Sequence, residues 1–218
     1  MGSIGETEKP DILDIKPYIT KSELSVVIDK HGRNLDKKVL SLTKKGDLII
    51  LKKGLYVSKN FAGNKPKNYV EFIANFLYYP SYLSLEYALQ KEGLMPDAPY
   101  AYTSVALKAT RVFSNSFGSF QYRNIKEVLF CGYVLEPFWD MYKVKVATKA
   151  KALFDFLYLH KFVSAIETEL TLDFRINWDN FSLKDLDEFL KYVRLSNSSK
   201  MRKIYLVIKE IVYDTRKS

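Results

Sequence analysis

Lys37, Lys38, Ser41, Lys44 and Lys45 stand at spacings that bring them to one side of a helix. Measured from Leu35 at about 100° per residue, they fall between roughly 180° and 300°, whereas Val39 and Leu42 lie within about 40° of the origin. Lysines grouped in this way suit one chemistry: each ammonium neutralises a phosphate and releases the counterions condensed on a nucleic acid. Such contacts supply affinity but no sequence information, and reading bases needs groups of defined geometry. Arg33, Asn34 and Ser41 are the candidates here, since arginine binds guanine bidentately and asparagine binds adenine. Asn34 equally suits a helix N-cap. Lys52 and Lys53 repeat the cationic pattern a few residues on. A run of charge is by itself only a solvated face, so the elements that carry it have to decide.

Those elements are legible. Thr20-Lys21-Ser22-Glu23 matches a capping box, which opens a short helix with Leu24, Val27 and Ile28 on one face. His31-Gly32 turns the chain, Asn34 starts a second helix over Leu35 to Lys45, and Gly46 stops it. Asp47 to Leu51 and Leu55 to Ser58 read as strands around the turn Lys52-Lys53-Gly54. Helix, turn, basic helix and basic hairpin is the order of a winged helix-turn-helix, whose second helix enters the major groove while the wing meets backbone. Pro17 leaves only Asp11 to Lys16 for the helix expected ahead of these. Between Thr20 and Lys67 there are 12 Lys and Arg against 4 Asp and Glu, so this segment holds +8 of the chain's formal +9. That concentration points to a polyanionic partner.

Other chemistries find few residues. With one cysteine, Cys131, and two histidines, His31 and His160, the 218-residue chain offers no disulfide framework, no zinc cluster and no cofactor site. A nucleotidyltransferase needs Gly-Ser followed closely by paired aspartates for Mg²⁺; Gly118-Ser119 is followed only by the solitary Asp140. Glu167, Glu169 and Asp173 are better read as a solvated strand edge than as a metal cluster, and His160 as packed rather than catalytic. Lys143, Lys145, Lys149 and Lys151 form a second basic cluster, either a polar helix start or a patch that extends a DNA path. Tyr78, Tyr79, Tyr82, Tyr87, Tyr100 and Tyr102 suit core and interface use. No apolar run is long enough for a membrane span, the acidic N-terminus is unlike a signal peptide, and Glu6 departs from the myristoylation pattern, so a cytoplasmic protein is expected.

The stretch FAGNKPKN has the composition of a junction, which divides the chain into residues 1–67, the DNA-binding part, and 68–218. In the second part helices are expected over Tyr69 to Tyr79, Leu83 to Glu92, Lys149 to Phe162, Ser182 to Val193 and Ser199 to Tyr213. Strands are expected over Tyr102 to Thr110, Arg111 to Asn115, Gly118 to Asn124 and Glu127 to Leu135, with Cys131 inside the last. The fold class is α+β.

Three blocks, GDLIILKKGLYV, SYLSLEYALQKEGLMPDAPYAYTSVALKATRVFSNSFGSFQYRNI and KVATKAKALFDFLYL, resemble in order and spacing the AbiEi-type antitoxins, regulators of type IV toxin–antitoxin and phage-defence (abortive infection) systems. The resemblance covers roughly Thr20 to Leu159. It implies a repressor that binds inverted repeats in its own operon, and a C-terminal domain that neutralises a nucleotidyltransferase-like toxin. No catalytic residue is carried over. The other function class is a non-enzymatic protein-interaction module, in which the winged helix binds a protein and the lysines only solubilise.

Overall fold

The computed structural model describes residues 13–96, 99–139 and 142–217. It is a mixed α+β fold with two sheets, and it divides into two compact units. One runs to Tyr69 and takes in Asn115–Phe117; the other holds Val70–Ser114 and the chain from Gly118 on.

In the first unit, strand β1 (Ile19–Thr20) leads directly into α1 (Lys21–Ile28). The capping box is present: the Thr20 hydroxyl accepts from the Glu23 N–H (3.2 Å), and the Glu23 carboxylate accepts from the Thr20 N–H (2.8 Å). Helix α2 (Gly32–Lys45) follows, then β2 (Leu48–Lys52), β3 (Leu55–Ser58) and α3 (Lys59–Gly63). The strands form an antiparallel sheet in the order β1-β3-β2. Ile19, Leu24, Leu35, Val39, Leu48 and Tyr56 close into one core, with Leu13, Ile28 and Leu42 packed against it.

Four expectations are corrected here. Leu13–Ile15 is a turn, not the end of a leading helix, while Asp11 and Ile12 lie outside the described residues. Asn34 is not the N-cap of α2; that position is His31, three residues before it, because Gly32 already sits in the helix. Val27 is 43% exposed, so the buried face of α1 rests on Leu24. Phe61 and Ala62, expected in a loop, are buried within α3, whose start is capped by Ser58 (Phe61 N–H to Oγ, 3.0 Å).

The second unit opens, from Val70, with α4 (Tyr69–Leu77), β4 (Ser81–Leu83) and α5 (Leu85–Lys91), followed by β5 (Tyr102–Ala106), β6 (Arg111–Asn115, of which the last residue falls in the first unit) and β7 (Gly118–Asn124). Strands β8 (Tyr133–Pro137) and β9 (Lys143–Ala147) come next, then α6 (Lys149–Leu159), the single turn α7 (Ile166–Thr168), α8 (Leu183–Ser196) and α9 (Ser199–Thr215). The sheet order is β6-β7-β5-β4-β9-β8. Helix α6 is apolar on most sides and buries Ala150, Ala152, Leu153, Phe154 and Leu157 at the centre of the unit.

Here too the expectations shift. Leu83 belongs to a strand, and α5 starts two residues later. Glu127–Leu129 is a 3₁₀ turn, and Gly132 (φ +75°) breaks the expected strand before β8, leaving Cys131 outside any strand. Val144 and Val146 are buried in alternation with Lys143 and Lys145, so those lysines belong to a strand and not to a helix start.

Glu167, Glu169 and Asp173 lie on α7 and the helical turn after it, not on a strand. Glu167 and Asp173 are exposed but Glu169 is buried, accepting from the Ser164 (2.8 Å) and Val163 (2.7 Å) N–H groups and pairing with His160 Nε2 at 2.6 Å. The Ser164 and Val163 amides, with His160, hold the Glu169 carboxyl down at about 2, against an ordinary value of 4.5. A carboxyl depressed by folding stabilises the folded chain above its unfolded value, and that stabilisation is lost as pH falls from about 4.5 to about 2. Glu169→Gln is therefore expected to lower the melting temperature at neutral pH and to flatten its decline through that acid window. A decline as steep as the wild type's would refute this role.

Candidate nucleic-acid interface

Helix α2 is held in place from both ends. Asp29 closes α1 in the left-handed region (φ 51°), and its N–H bonds back to the last turn. The Ser25 hydroxyl then donates to the Lys30 carbonyl (2.8 Å) and meets His31 Nδ1 at 2.7 Å, which fixes the turn between the two helices. At the other end Gly46 (φ +81°) and Asp47 return their N–H groups to the Thr43 (3.1 Å) and Leu42 (3.0 Å) carbonyls. Both reversals need positive φ, and at Gly46 glycine meets that need without strain.

The interior face of the helix is made by Leu35 and Val39, with Leu42 packed alongside. Arg33, Asn34, Lys37, Lys38, Ser41, Lys44 and Lys45 are all exposed. Ion pairing involves a different edge: Lys21 on α1 bonds Asp36 at 2.6 Å, and that carboxylate raises the Lys21 pKa. Among the described residues, Arg33, Lys37, Lys38, Lys44 and Lys45 engage no carboxylate, so their charges face solvent uncompensated.

The hairpin carries the other two cations. Its register pairs Ile50 with Tyr56 and Lys52 with Leu55, so Leu51 bulges and is buried. Lys53 and Gly54 form the turn, with Gly54 at φ +78°. Lys53 is exposed and Lys52 half-buried. Of the nine side chains that the sequence assigns to this surface, eight are exposed and Lys52 is half-buried. Leu40, 54% exposed on α2, was not among them; its angle of about 140° from Leu35 is the signal that finds it.

The second basic cluster does not hold together. Lys143 is exposed. Lys145 lies over the rings of Tyr79 (5.3 Å) and Tyr133 (5.1 Å). Lys149 donates to the Asn180 carbonyl (2.9 Å) and side chain (3.1 Å). Lys151 is wholly buried, so it belongs to no surface patch: its ammonium pairs with Asp155, among the rings of Tyr82, Phe154 and Tyr192.

Asp155, also wholly buried, accepts from the hydroxyls of Tyr82 and Ser84, both at 2.8 Å. Burial pushes its carboxyl up, against the opposing pull of Lys151, Ser84 and Tyr82. Burial likewise raises the Cys131 thiol. Gly132 is packed so closely here that a Cβ would stand 2.3 Å from the Tyr192 hydroxyl. Wholly buried, ion-paired and hydrogen-bonded, Lys151 and Asp155 form a polar cluster within the core. Among the described residues no group of three or more His, Cys, Asp or Glu is gathered where a metal ion could sit, and no helix is long and apolar enough to cross a membrane. In comparisons with known proteins, no family model and no curated protein matches the chain.

Proposed function

We propose that this protein is a cytoplasmic, double-stranded-DNA-binding transcriptional repressor and antitoxin, and that its first unit works as a winged helix-turn-helix. The observation that carries the reading is the outer face of α2: five exposed cations, with no carboxylate partner among the described residues, stand outside the stripe that fixes the helix to its core. An exposed helix of this kind enters a major groove, and Lys53 at the tip of the β2–β3 hairpin meets the flanking backbone. The resemblance to AbiEi-type antitoxins extends the reading to repression of the protein's own operon and to opposition of a nucleotidyltransferase-like toxin, with DNA and the toxin as partners and no cofactor.

A mobility-shift titration with DNA from upstream of the protein's gene, against random competitor DNA, tests the reading. Specific retention is expected, and two copies on an inverted repeat would contact half-sites about 34 to 36 Å apart or a multiple of that. Absence of specific binding by the folded protein would sink repression at that DNA. Direct contact with the toxin is tested by co-purification of the two chains.

The second reading, a protein-interaction module, is favoured by the apolar exposure of α1, where Val26 is 77% exposed. An apolar interface responds weakly to salt, whereas phosphate neutralisation responds steeply, so the salt dependence of binding separates the two.

A further inference from the structure

The outermost line of α2 is not purely cationic. Counting about 100° per residue from Leu35, Leu40 stands at roughly 140°, Arg33 at 160°, Lys44 at 180° and Lys37 at 200°. These four residues, spaced i, i+4, i+7 and i+11, form the stripe directly opposite Leu35, Val39 and Leu42. Leu40 is 54% exposed, and the helix is already anchored without it. A leucine placed among cations on the side of the helix turned away from the core adds nothing to phosphate binding and nothing to solubility.

We propose that Leu40 is a specificity-determining residue that reads the 5-methyl group of thymine in the major groove. The inference rests on the DNA-binding reading above and supplies the sequence preference that lysines cannot. Of the groups that base pairs present in the major groove, the thymine methyl is the apolar one; the rest are hydrogen-bond donors and acceptors that an aliphatic side chain leaves unsatisfied. Lys37 and Lys44 lie about one turn before and after Leu40 along the helix, so phosphate or guanine contacts at those positions press the leucine against a base edge. The site expected is one with thymine beside a guanine or a backbone contact, and a cytosine at that position is disfavoured because it offers an amino donor and no methyl.

The test uses the full chain and one DNA fragment from upstream of its gene, amplified once with dTTP and once with dUTP so that the second product lacks every thymine methyl. Wild type and Leu40→Ala are titrated against both, with random DNA as competitor and melting temperatures as the check on folding. The wild type is expected to bind thymine DNA more tightly by about fourfold for each methyl contacted, the value of burying one such group. Leu40→Ala is expected to bind the two fragments alike. Equal binding of both fragments by the wild type overturns the inference and leaves the DNA reading standing. Discrimination that survives unchanged in Leu40→Ala also overturns it, since the methyl is then read elsewhere. Absence of specific binding to either fragment removes the DNA reading and this inference together.

Discussion

Lys151→Met is expected to destabilise the protein by about 3 to 5 kcal/mol, because it strips the partner from a carboxylate that stays buried. Lys151 and Asp155 are both wholly inaccessible, four residues apart on α6, in the middle of the second unit's core. Methionine fills much the same volume, so the loss reports the uncompensated charge and not a cavity. At this chain length the melting temperature should fall on the order of 10 °C. The deficit should shrink as pH is lowered: a carboxyl whose folded pKa lies above its unfolded value takes up a proton on folding, so stability rises as pH falls toward that value. Combining Lys151→Met with Asp155→Asn removes both charges and keeps an acceptor oxygen for Tyr82 and Ser84, and the double variant should be less destabilised than the two single changes summed. A loss below about 1 kcal/mol for Lys151→Met, or one that does not vary with pH, would show that the pair is not the buried ionic contact described.

That same pair marks the limit of what the sequence discloses. Thr20 and Glu23, the Gly46 stop and the Leu35-Val39-Leu42 stripe are local signals, with partners within one or two turns, and they place the basic helix in the structure as they do in the sequence. Lys151 reads as surface in the sequence although its partner Asp155 is one turn away, because what buries the pair is remote: Tyr82 and Ser84, whose hydroxyls bond Asp155, lie about 70 positions earlier in the chain, and only the folded sheet brings them to α6. Glu169 is hidden from the sequence in a similar way, because what holds it is a pair of backbone amides and a histidine ring rather than any pattern of residue types. The strand β9 was different, since the alternation Lys143-Val144-Lys145-Val146 carries the period of two openly. Charge alone groups its lysines with those of α6, and only the alternation separates strand from helix. Gly132 shows the opposite case, in which one left-handed residue interrupts a run of β-formers that composition alone extends from Glu127 to Leu135.

The largest effect expected on binding belongs to α2. The combined variant Lys37→Ala, Lys38→Ala, Lys44→Ala is expected to weaken binding to upstream DNA on the order of 100-fold at physiological salt, with no fall in melting temperature. The three side chains are exposed, touch no carboxylate among the described residues and contribute nothing to the Leu35-Val39 core, so removing them should leave the fold intact. Counterion release makes the test quantitative. Each phosphate neutralised contributes about −0.9 to the slope of log affinity against log salt, so the slope of the variant should be shallower than the wild type's by about 3. A smaller change would mean that some of these ammonium groups lie off the backbone path, and their identity could be read from single replacements. An unchanged slope together with unchanged affinity would place the polyanion elsewhere on the molecule. If wild-type binding to its partner hardly varied with salt, the apolar face of α1, with Val26 and Val27 exposed, would become the surface to pursue, and the lysines of α2 would be a solubilising face.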